Sequence, residues 1–90
     1  MAFAVWDKGQ VAVTGKTGSW TATTDHRHFC PVCGSALFGT HDGDDEVEVR
    51  LGVLDAAPSG FTPDYELWTP RREHWQMPVA GAAQHLGNRP

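Results

Sequence analysis

Apolar and polar positions alternate most cleanly from Glu46 to Leu54, where Val47, Val49, Leu51 and Val53 point one way. Glu46, Glu48, Arg50 and Gly52 point the other, which predicts a half-buried antiparallel strand. Phe3-Ala4-Val5-Trp6 is a second β-prone run, and Lys8-Gly9-Gln10 supplies a turn after it. Val11 and Val13 then alternate with Ala12 and Thr14 at strand period. Gly15 and Gly18 punctuate the chain before Ser19-Trp20-Thr21-Ala22-Thr23-Thr24, a stretch rich in β-branched residues. Ser35 to Gly39 reads as a short strand, and so does Pro63 to Trp68, with Pro70 ending the latter. Asp42-Gly43-Asp44-Asp45 reads as a solvated hairpin tip, because its carboxylates do not follow the spacing of a calcium-binding loop. Arg71 to Trp75 can form one helical turn, and no longer helix is visible. The pattern predicts an all-β fold of short strands and Gly- or Pro-rich turns.

Ninety residues allow one small domain. The expected division is a β domain over 1–80 and a loose tail over 81–90, where the chain turns small and polar. A chain this short buries only roughly 60–65% of its unfolded surface, so a metal or a partner chain would help it. Net charge is −4, and Lys8 and Lys16 are the only lysines. That balance argues against a nucleic-acid partner or an anionic membrane surface. No stretch reaches the ~20 apolar residues of a membrane span, and no basic region precedes an apolar run at the N-terminus, so a cytoplasmic location is expected.

Candidate chemistry is concentrated in Phe29-Cys30-Pro31-Val32-Cys33-Gly34-Ser35. The Cys-x-x-Cys spacing lets two thiolates converge on one ion, and glycine after the second permits the turn that exposes backbone N–H groups to the sulfurs. In a reducing compartment such a pair reads as thiols or metal ligands rather than a structural disulfide. Zinc is therefore the expected cofactor, with Cys30 and Cys33 as its first two ligands. Its third and fourth ligands stay open. Histidines are one source: His26 and His28 are near in sequence, whereas His41, His74 and His85 need the fold to bring them close. His28, two residues before Cys30, is placed badly for the same ion and reads more simply as a strand histidine. A homodimer in which two chains each donate a Cys-x-x-Cys is the other source. A metal-free turn is the plainest alternative. No residue is assigned a catalytic role, since a thiolate bound in a knuckle is inert.

Three segments in order resemble the family of glutathione-dependent formaldehyde-activating enzymes, which includes the centromere protein V domain. They are Arg27 to Phe38, similar to an Arg-x-Phe-Cys-x-x-Cys-Gly-Ser-x-Leu run; Leu51-Gly52-Val53-Leu54-Asp55, similar to a Gly-x-Leu-Asp strand end; and Pro63 through Trp68 to Trp75. Ala2 to Trp6 is similar to a family strand. The resemblance implies a two-sheet antiparallel β-tent with a zinc-knuckle turn. It also implies carbon–sulfur lyase chemistry in which formaldehyde and the thiol of glutathione give S-hydroxymethylglutathione, and so glutathione or another small thiol as partner. In the family, a Cys-x-Cys on an early strand completes the structural zinc site with the pair matched by Cys30 and Cys33. A Cys-x-Cys-x-x-Cys-Arg segment before the Ala-Phe-Ala strand holds a second, catalytic-type zinc. Neither segment is among these residues, so the resemblance implies impaired catalysis. Either Met1 is an internal methionine of a longer protein or this is a genuine short form. A non-catalytic zinc-knuckle module for binding or assembly is the rival reading. Trp68 and Trp75 with Arg71 or Arg72 are candidates to line a cleft for an anionic thiol, although solvated arginines are the simpler reading.

Overall fold

A computed structural model describes residues 1–90, which form two compact units, Met1–Ser59 and Gly60–Pro90. The first unit holds strands β1 (Phe3–Asp7), β2 (Gly18–Ala22), β3 (Asp25–Phe29), β4 (Ala36–His41) and β5 (Glu46–Arg50). They form one antiparallel sheet in the order β1-β5-β4-β3-β2. The second unit holds β6 (Tyr65–Glu66) and β7 (Ala83–Gln84), paired in parallel. The rest of the regular structure is 3₁₀ turns of three residues, so the chain is all-β. No helix is long and apolar enough to cross a membrane.

Register assigns the faces of the large sheet, because directly opposed residues of antiparallel neighbours project to the same side. Val47 opposes Trp6 and Thr40, and Val49 opposes Ala4 and Phe38. These residues make the apolar face, and Val47, 4% exposed, is its most deeply buried point. The opposite face carries Trp20, Arg27, Gly39 and Glu48 in one row. The two valines of the alternating stretch thus point inward together, as their spacing predicts.

That alternation continues in the sequence beyond the strand itself. β5 ends at Arg50, opposite Phe3, and one more bond from the Leu51 N–H to the Ala2 carbonyl closes the pairing. Leu51–Val53 then turns as a 3₁₀ helix, and Val53 is left exposed. A strand needs a neighbour to bond to, and here the ladder with β1 stops. Val11 to Thr14, expected as a strand, is unpaired for the same reason and Val13 is exposed. The Asp42–Asp45 segment does form the β4–β5 turn, with Gly43 at φ 87°.

In the second unit the expected strand from Pro63 to Trp68 contracts to Tyr65–Glu66. Trp68 departs into the left-handed region at φ 53°, and Pro70 sits in the 3₁₀ turn Thr69–Arg71, slightly before the expected helical turn. Ala83 and Gln84, in the segment expected to be loose, supply β7, and the carbonyls of His85 and Gly87 accept from Thr69 and Trp68. Glu66 ties this unit together through Gln84 Nε2 at 2.7 Å, Arg72 Nη2 at 3.2 Å and the Val79 N–H at 3.2 Å. These contacts hold its carboxyl below the usual range, the Gln84 bond contributing most.

Candidate metal centre

Both cysteines sit on the turn between β3 and β4. The register shifts between His28 and Phe29, so that Phe29 opposes Ala36 across a bulge at the approach to the turn. The Cys30 N–H then donates to the Ser35 carbonyl at 2.9 Å, and the Gly34 N–H donates to the Cys30 carbonyl at 2.8 Å. Gly34 takes φ 80°, where a Cβ would be strained, so glycine is needed to close the loop. Behind the turn the Phe29 ring lies against Gly18, where a Cβ would fall 2.3 Å from Cε2. The ring occupies the space that a side chain on β2 would fill.

Neither cysteine is in a disulfide; Cys30 is half-buried and Cys33 exposed. The Cys33 thiol lies 3.2 Å from Ser35 Oγ. Hydrogen bonds from the Ser35 side chain and backbone, and then from Cys30, hold the Cys33 thiol below its ordinary value. Ser35 is a residue that sequence reasoning passed over as part of a motif. A hydroxyl two positions after the second cysteine is the signal that could have marked it as a thiolate partner.

The histidines of the first unit are engaged elsewhere. His28 Nδ1 meets Thr17 Oγ1 at 3.0 Å, and its ring stacks on Phe38 with centroids 4.3 Å apart. His26 Nδ1 meets Thr21 Oγ1 at 3.0 Å, and its Nε2 donates to Asp42 at 2.7 Å. His41 donates from Nδ1 to Asp25, and its Nε2 meets Thr24 Oγ1 at 3.3 Å. Asp25 raises the His41 pKa, chiefly through that hydrogen bond. In the second unit His85 makes an edge contact with Tyr65.

A closed zinc site needs a tetrahedral set of donors. No three His, Cys, Asp or Glu side chains of this chain converge so as to hold a metal ion. Residues 1–90 therefore bring Cys30 and Cys33 to one corner and do not by themselves complete a site. Of the candidate cleft residues, Arg72 is bonded to Glu66 and Gln84, Trp68 donates from Nε1 to Asn88 at 3.0 Å, and Trp75 is exposed.

No curated protein matches the chain. A family model described as "Glutathione-dependent formaldehyde-activating enzyme" matches residues 1–71, which takes in the whole five-stranded sheet, the cysteine turn and β6. The matched residues include Arg27 to Phe38, Leu51 to Asp55 and Pro63 to Trp68, and stop before Trp75; the chain belongs to the family of glutathione-dependent formaldehyde-activating enzymes.

Proposed function

We propose that this chain handles glutathione and its formaldehyde adduct as a carbon–sulfur lyase-type member of its family, with catalysis impaired in residues 1–90 as they stand. The family match over residues 1–71 carries the substrate class. The donor count carries the impairment. Zinc, when bound, supplies a Lewis acid and lowers the pKa of a thiol it holds. Cys30 and Cys33 would be its ligands here, yet they make half of a tetrahedral set. No catalytic step is therefore assigned to this corner. What these residues do is hold two thiols side by side at a turn, with the Ser35 hydroxyl beside Cys33 favouring its thiolate.

The rival reading, a zinc-knuckle module for binding or assembly, is favoured by the same count. Two chains that each donate Cys30 and Cys33 would complete one Cys₄ site, which gives a homodimer a physical reason. Exchange spectroscopy with ¹³C-formaldehyde and glutathione tests the reaction directly, by measuring interconversion of the free aldehyde and S-hydroxymethylglutathione. We expect the purified chain to raise the spontaneous exchange rate no more than a few-fold. Acceleration by orders of magnitude would show a competent enzyme and overturn the impairment.

A further inference from the structure

The turn between β3 and β4 leaves two sulfurs together and no third donor for a metal. The Gly34 N–H bond to the Cys30 carbonyl closes one turn of chain around Pro31, Val32 and Cys33, and the Cys30 N–H bond to the Ser35 carbonyl clamps its base. Residues three apart in a tight turn have Cα atoms within about 7 Å of each other. A disulfide spans about 4.4–6.8 Å between Cα atoms, so closing one across this turn asks little of the backbone. The Cys30 thiol also hydrogen-bonds to the Cys33 sulfur, so the two sulfurs are neighbours. The Cys33 S–H in turn donates to Ser35 Oγ at 3.2 Å.

The two cysteines differ in access. Cys30 is half-buried, whereas Cys33 is exposed. Every residue from Pro31 to Ala36 is exposed, and Val32 beside Cys33 is 93% exposed. A disulfide dissolved in water therefore meets Cys33 first, with Cys30 next to it. Access helps to decide which sulfur enters thiol–disulfide exchange, so this asymmetry gives the two sulfurs different parts. A metal would silence both, but the histidines of the first unit are bonded to Thr17, Asp42 and Asp25.

We propose that Cys30 and Cys33 form a reversible dithiol–disulfide pair, in which Cys33 first exchanges with a small disulfide such as glutathione disulfide and Cys30 then closes the ring. This chemistry needs no zinc and is independent of any action on formaldehyde. In the first step the Cys33 thiol gives up its proton to solvent, and its sulfur attacks one sulfur of glutathione disulfide. That S–S bond breaks, a mixed disulfide of Cys33 and glutathione forms, and one glutathione leaves as thiolate. In the second step the Cys30 sulfur, its proton lost, attacks the Cys33 sulfur and expels the second glutathione. The two protons released by the cysteines are taken up by the two glutathione thiolates, so the chain loses two electrons and glutathione disulfide gains them. Once closed, the pair offers no thiolate, and oxidation excludes a metal shared between two chains.

The test is incubation of the reduced full chain with a chelator and graded mixtures of glutathione and glutathione disulfide, followed by acid quenching, alkylation and intact mass. Expected is a single-chain species that takes no alkyl group, is lighter than the reduced chain by two hydrogens, and reverts when glutathione is in excess. Cys30→Ser should stop at a mixed disulfide that peptide mapping puts on Cys33. Cys33→Ser should react with glutathione disulfide roughly tenfold more slowly than Cys30→Ser. Both replacements keep a small polar side chain at the turn, and an unchanged ¹⁵N spectrum of the sheet checks that each variant folds. A wild-type chain that stays a dithiol at every ratio, that stops at a mixed disulfide, or that bridges only to a second chain would overturn the pair. Equal rates in the two variants would overturn the order of attack.

Discussion

Close contacts around single residues decide how the cysteine turn is held. Phe29 precedes Cys30, and its ring fills the space over Gly18 on the neighbouring strand. Gly18→Ala forces the ring aside, and overpacking of this kind costs about 1–3 kcal/mol. A urea melt should therefore show a lower midpoint with an unchanged slope, and an unchanged midpoint would mean that the ring yields freely. At the other end of the same strands, His41 is joined to Asp25 and Thr24. Its folded pKa is raised above 6.5, so the stabilisation is fully present below pH 6.5 and is lost as pH rises through the raised value. Asp42 and Asp44 also favour the charged ring. NMR titration of the His41 ring should give a midpoint above that of an unfolded-chain histidine, and Asp25→Asn should bring it down. Because both groups are well exposed, the effect on the urea midpoint is expected to be small.

At the scale of elements, the sheet depends on a thin apolar face. Val47, opposed by Trp6 and Thr40, is its most buried side chain. Val47→Ala should cost about 2 kcal/mol, a large share of the stability of so small a domain. Val53→Ala, three residues past the end of β5 at an exposed site, should shift the midpoint much less. Equal losses would mean that the alternation does continue inward past Arg50. This pair of valines also shows what local pattern can and cannot reveal. Period two identifies which side of a strand is apolar, and it does so correctly for Val47 and Val49. It does not say where the partner strand stops, and that limit belongs to β1. Val11 and Val13 have the right spacing and no neighbour to bond. Ala83 and Gln84 have no pattern at all and are recruited by the Asp64 and Glu66 carbonyls, which accept from the Ala83 and His85 N–H groups.

For the molecule as a whole, the legible part of the candidate centre is the part that is local in sequence. Cys30, Cys33 and Gly34 announce a turn that gathers two thiols, and the structure builds that turn between β3 and β4. Whether histidines join them depends on long-range register, which the sequence does not carry. The fold gives His26 to Asp42, His41 to Asp25 and His28 to Thr17. The row formed by Trp20, Arg27, Gly39 and Glu48 is hidden for the same reason, since its members are spread over four strands. What remains central is that residues 1–90 bring two free thiols, Cys30 and Cys33, to one turn.

Metal analysis of the purified chain, paired with native mass spectrometry after a mild chelator, tests this most directly. At most about half a zinc per chain should be retained, with any retained ion in a two-chain species that Cys33→Ser abolishes. One zinc held tightly by each single chain would contradict it.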